Sequence, residues 1–99
     1  MDEFVADYVK IDEKVGRMFE ITARIGEEIG NISAYTADLD IFWDGDANSA
    51  FITKIGEDLL EAGVILMRVR ALVKAASSAL DLYQKNEKEI KRMIGDYGI

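Results

Sequence analysis

The sequence predicts an all-α fold: an antiparallel helix-turn-helix hairpin, with residues 1–99 forming one helical-hairpin domain that dimerises into a four-helix bundle. Three observations predict it. Two long apolar stripes repeat at heptad spacing on either side of the midpoint, no proline interrupts either stripe, and the only tryptophan, Trp43, stands near Gly45 where the stripes meet. A chain of 99 residues is near the size at which a single core is viable, and association commonly supplies the missing buried surface.

The first helix is expected over about 3–40. Steps of alternately four and three residues from Phe4 reach Tyr8, Ile11, Val15, Met18, Thr22, Ile25, Ile29, Ile32, Thr36 and Leu39 without a slip in phase. All but the two threonines are apolar or aromatic, the signature of one long amphipathic helix with a coiled-coil-like seam. Phe19 and Ile21 flank the stripe, and a wider stripe suits a bundle with more than one neighbour.

The break is expected over about 41–46. Between Asp38 and Asp46 lie four aspartates, Trp43 and Gly45. Asp44 or Asp46 can cap the next helix by accepting from its free N–H groups, and Gly45 can take backbone angles closed to other residues. A connection this short makes the two helices antiparallel neighbours.

The second helix is expected over about 47–94. Its stripe runs Ile52, Ile55, Leu59, Ala62, Leu66, Val69, Val73, Ala76, Leu80, Tyr83, Glu87, Ile90 and Ile94, and Glu87 alone is charged. Phe51, Ile65, Leu72, Ala79 and Met93 form a second stripe beside it, so this helix is expected to contact two partners at once. Helices of roughly 35 to 45 residues are about 50 to 65 Å long at 1.5 Å per residue, so the expected shape is a thin rod.

Glycines inside the helices each cost roughly 1 kcal/mol relative to alanine. Ala23, Gly26, Gly30, Ser33 and Ala37 make a small-residue stripe, and Gly63 should lie near Gly26 across the hairpin. Close helix approach is expected there, either within the hairpin or at a dimer crossing. Gly26, Gly30 and Gly63, with Leu59, Leu66, Val69 and Val73, form the candidate dimer or close-packing face.

Composition narrows the function classes. Without histidine or cysteine the usual general base, zinc ligand and disulfide framework are absent, so no enzyme, metal site or cofactor is expected. The net charge of -7 disfavours nucleic acid and anionic membranes, because phosphate binding needs clustered lysine and arginine. Residues 1–46 carry twelve acids against four bases, and residues 68–99 seven bases against four acids. Folding back places acidic start beside basic end, which favours antiparallel pairing and complements both helix dipoles. No stretch reaches the roughly 18 apolar residues of a membrane span, and no apolar run follows a basic segment as in a cleavable signal peptide. Synthesis in the cytoplasm is expected, and leaderless export is compatible with this composition.

These features resemble the Trp-X-Gly (WXG) family of small helical-hairpin proteins exported by type VII secretion systems, the ESAT-like proteins. Trp43-Asp44-Gly45 falls at the central turn, and Asp46-Ala47-Asn48-Ser49-Ala50-Phe51 is similar to the family pattern of alanine and then phenylalanine at helical spacing. Tyr83-Gln84-Lys85-Asn86-Glu87 fits the family's Tyr-X-X-X-Asp/Glu signal, with phenol and carboxylate on one helix face. The resemblance implies a non-enzymatic secretion substrate or co-substrate, made in the bacterial cytoplasm and secreted without a cleavable signal peptide. It implies a dimer with itself or with a related helical hairpin, without membrane insertion. In that dimer the turn of one protomer lies near the Tyr-X-X-X-Glu end of the other, and the secretion ATPase reads Trp43, Gly45, Tyr83 and Glu87 as a bipartite export signal.

Several readings stay open at the level of sequence. Trp43 is either a plug over the end of its own hairpin or an anchor for a partner. Tyr83 is either a signal or a packed aromatic of the seam. The chain is either itself the substrate, a partner or targeting chaperone for a larger toxin with a helical N-terminal domain, or a cytoplasmic helical-bundle adaptor.

Overall fold

Two α-helices account for nearly all of residues 3–96, the part described by this computed structural model: α1, Glu3–Phe42, and α2, Asp46–Asp96. Both follow from long heptad repeats uninterrupted by proline. Their ends differ from the expected ones. α1 runs on through Ile41 and Phe42 and α2 begins at Asp46, so only 43–45 remain outside the helices instead of the six residues expected.

Gly45 makes that short reversal possible. Its φ of 108° lies in the left-handed region, where a side chain would be strained. The Trp43 N–H donates to the Leu39 carbonyl at 2.9 Å and closes α1, while the Ser49 N–H donates to the Gly45 carbonyl at 3.1 Å and opens α2. Gly45 therefore stands in the cap position foreseen for Asp44 or Asp46. Asp46 lies in the first turn of α2, where its charge suits the helix dipole, as Glu3 does in α1. The last turns of both helices hold no basic residue, so the charge pattern matches the dipoles at the N-termini only. The reason for α1 is local: the aspartates that crowd its end belong to the segment that also begins α2.

The helices divide into two compact units. One joins α1 up to Phe19 with α2 from Ala71 onward, and the other is Glu20–Arg70. In the first, Val15, Val73 and Leu80 are buried, and in the second Leu66, Thr22 and Asn48 are buried. Both units pair their helices antiparallel. In the first, Phe4 meets Tyr83. In the second, Arg70 bonds to Thr22 near one end and Asn48 to Asp40 at the other.

Burial alternates along each stripe. On α1, Tyr8, Val15, Thr22, Ile29 and Thr36 are buried or half-buried, while Ile11, Met18, Ile25, Ile32 and Leu39 are exposed. On α2, Leu59, Leu66, Val73, Leu80 and Glu87 are buried or half-buried, while Val69, Ala76, Tyr83 and Ile90 are exposed. Over these positions one line of each stripe faces the other helix and the second is left on a flank; Phe4, Ile55 and Ala62 of the second lines are half-buried, and Ile94 of the first is exposed.

Candidate functional site

At the turn, the side chains are organised around Phe51. Helix α2 starts at Asp46, so Phe51 comes round to meet the preceding turn, and its ring lies 5.6 Å from the Trp43 ring at a tilt of 40°. That separation is within the range of favourable aromatic pairs. Trp43 remains 40% exposed. It therefore packs against its own hairpin through Phe51 and keeps part of its surface uncovered.

At the same end of the hairpin, Asn48 Nδ2 donates to Asp40 Oδ1 at 2.8 Å. Asn48 is buried, and its Oδ1 finds no hydrogen-bond partner among the described residues. The bond ties the last turns of α1 to the first turn of α2 and holds one of the four aspartates of the tip. Ile41 and Phe42 point outward, Phe42 at 85% exposure, and surpass Trp43 as uncovered apolar surface.

Around Tyr83 a second cluster forms within the other unit. The Tyr83 ring is 5.0 Å from that of Phe4, tilted by 55°, and Phe4 is 6.2 Å from Tyr8. Lys91 Nζ stands 5.8 Å from the Phe4 centroid, inside the range of a cation–π contact. Tyr83 is nonetheless 53% exposed, whereas Glu87 is half-buried in line with Val73 and Leu80. The two members of the motif therefore sit differently, Tyr83 on the exposed flank and Glu87 half-buried along the seam. Near them, burial first, and the Asp12 and Asp81 carboxylates second, raise the Tyr8 phenol above its ordinary 10.0.

The glycines separate in the same way. Gly26 lies under Arg70: a Cβ there would stand 2.6 Å from Arg70 Nη2 and 3.5 Å from Leu66 Cδ2. Arg70 Nη2 donates to the Thr22 carbonyl at 3.4 Å, so the space left by glycine is filled by a guanidinium, not by a neighbouring helix backbone. Gly30 and Gly63 have nothing within 4 Å of a built Cβ. Gly26 and Gly63 do line one notch, together with Ala23, Met67 and Arg70. On another side of this unit, Ile25, Ala62, Ile65 and Val69 line an almost wholly apolar groove with Ile29 and Leu66 at its base. Of the expected close-packing residues, Leu66 and Val73 are buried, Leu59 is half-buried, and Val69 lies in that groove.

Comparison of the chain with family models, curated proteins and solved structures returns no match.

Trp43 and Gly45 belong to one unit, and Tyr83 and Glu87 to the other. Among the described residues no group of three or more acidic side chains is arranged to hold a metal ion, and no helix is long and apolar enough to cross a membrane. Phe4, Asn48 and Arg70 were not singled out from the sequence as site residues. Phe4 was legible only as the first member of the α1 stripe, and Asn48 and Arg70 depend on the register between helices, which a one-dimensional pattern does not carry.

Proposed function

We propose that the chain is a non-enzymatic substrate or co-substrate of type VII secretion, a member of the Trp-X-Gly family that dimerises and presents a bipartite export signal. The observation that carries this reading is the turn: Trp43-X-Gly45 at the reversal of a two-helix hairpin, with Gly45 at positive φ and Trp43 half-exposed on Phe51. Tyr83, exposed on the flank of α2 with Glu87 one turn on, supports the second element of the signal.

Dimerisation is supported by how little the hairpin buries. Val15, Leu66, Val73 and Leu80 are its buried apolar residues, while Ile11, Met18, Ile25, Ile65 and Val69 are exposed. Apolar surface of this extent favours coverage by another chain. A second hairpin against the Ile25–Val69 groove completes a four-helix bundle, with a copy of this chain or a related helical hairpin as the partner. The same surface favours a second reading, in which the chain covers the helical N-terminal domain of a larger toxin.

The deciding experiment follows the chain in culture supernatants of cells with and without the secretion ATPase. Appearance in the supernatant only with the ATPase is the expected result, and retention in the cell in both cases refutes export. Trp43→Ala and Tyr83→Ala should keep helicity and dimerisation while export falls; if either unfolds the protein, the motif is structural. Sedimentation of the purified chain separates the partners: a stable homodimer supports self-pairing, and aggregation relieved by a coexpressed toxin domain supports the second reading.

A further inference from the structure

We infer that the first turn of α1 belongs to the Tyr83–Glu87 recognition element, with Phe4 as the positioning residue that fixes the Tyr83 ring for its receptor; this rests on the export-signal reading above. A tyrosine on the exposed flank of a single helix exchanges between rotamers and must be ordered when it binds. Here the Phe4 ring lies 5.0 Å from it at a tilt of 55°, a geometry that restricts that exchange. Phe4 is itself held from two further directions, by Tyr8 one turn along α1 and by Lys91 Nζ at 5.8 Å from its centroid.

Lys91 follows Glu87 by one turn on α2. The cluster thus sets the exposed Tyr83 ring, the half-buried Glu87 and Lys91, whose Nζ lies over Phe4, one turn apart along α2, with Phe4 of the other helix as the wedge. The partner it fits is a protein surface with a polar contact for the phenol and a basic group for Glu87. Such a surface reads the paired ends of both helices, and α2 by itself lacks the wedge. Ordering the ring before binding removes a cost that otherwise falls on the complex.

The test measures binding of the full chain to the purified secretion ATPase, with export from cells as a second readout and helicity and sedimentation as controls. Phe4→Ala is expected to weaken binding by about two- to tenfold, the range set by immobilising one side chain. Phe4→Tyr, which keeps the ring, should bind like the natural chain. In a Tyr83→Ala background, Phe4→Ala should cause no further loss, an outcome that a general structural role of Phe4 does not produce.

Unchanged binding of Phe4→Ala beside lost binding of Tyr83→Ala overturns the inference and leaves Tyr83 as a signal read alone. A Phe4→Ala loss that persists in full in the Tyr83→Ala background also overturns it. If Phe4→Ala lowers helicity, Phe4→Leu decides, since it keeps apolar bulk without the ring: weakened binding supports positioning and full binding refutes it. Normal binding and export of Tyr83→Ala refutes the export-signal reading itself.

Discussion

Replacing Gly63 with alanine should stabilise the chain, whereas replacing Gly26 should do little, although both changes add one methyl group inside a long helix. The shared gain is helix propensity, about 1 kcal/mol per glycine in an exposed interior. At Gly63 nothing stands within 4 Å of the new Cβ, so the gain is kept whole. At Gly26 the Cβ would meet Arg70 Nη2 at 2.6 Å, and the guanidinium has to leave. Its movement is easy, because it is the end of a flexible side chain, but it gives up the 3.4 Å bond to the Thr22 carbonyl. That bond is longer than the usual range and belongs at the weak end of the roughly 0.5–1.5 kcal/mol of a typical hydrogen bond. The loss of guanidinium packing over Gly26 adds to it, so Gly26→Ala is expected within about 0.5 kcal/mol of zero.

Urea unfolding followed by helical circular dichroism measures both variants at one protein concentration, and thermal unfolding should raise Tm by roughly 4–8 °C for Gly63→Ala. A double-mutant cycle supplies the internal control: in an Arg70→Ala background, Gly26→Ala should recover the full gain of about 1 kcal/mol. Equal stabilisation by Gly26→Ala and Gly63→Ala, or no recovery in the cycle, refutes the assignment of Arg70 as the group that fills the space over Gly26. Destabilisation by Gly63→Ala that grows with protein concentration instead places a second chain's backbone against Gly63, the dimer-crossing role considered for the small-residue stripe.

Three further outcomes follow from burial and charge. Leu66→Ala should cost about 2–5 kcal/mol in urea unfolding, because the side chain is buried, whereas Leu60→Ala, 74% exposed, should stay within about 0.5 kcal/mol; similar costs contradict the division of the seam. Asp40→Ala should cost about 1–3 kcal/mol by leaving the buried Asn48 amide unpaired, and Asp38→Ala, equally exposed but not bonded to Asn48, much less; equal effects show that the Asp40–Asn48 bond is not formed in solution. The Tyr8 phenol is held above 10.0 in the folded chain, so its contribution to stability is complete below the unfolded value and is lost as pH rises through the folded one. Stability should therefore fall with pH above about 10 more steeply in the natural chain than in Tyr8→Phe, and identical slopes refute the shift.

The two helices and their break were legible because heptad spacing, lack of proline and a glycine able to take positive φ are local properties of the chain. The turn is shorter than the expected 41–46 for a local reason as well: nothing in the backbone chemistry of Ile41 and Phe42 stops a helix, and α1 runs to Phe42, shortly before Gly45 reverses the chain. What local pattern does not carry is register. The meeting of Phe4 with Tyr83, Arg70 with Gly26 and Asn48 with Asp40 depends on which residue lies opposite which, and a turn shorter by several residues resets that pairing. Register also decides which line of each stripe is covered. Val15 and Leu66 face across the hairpin, while Ile25, Ile65 and Val69 do not. A packed pair of helices buries one such line per helix and has no third surface with which to bury the other. The sequence nevertheless specifies both lines along most of its length, and that excess of apolar surface over what two helices can cover is the physical ground on which a partner chain is proposed.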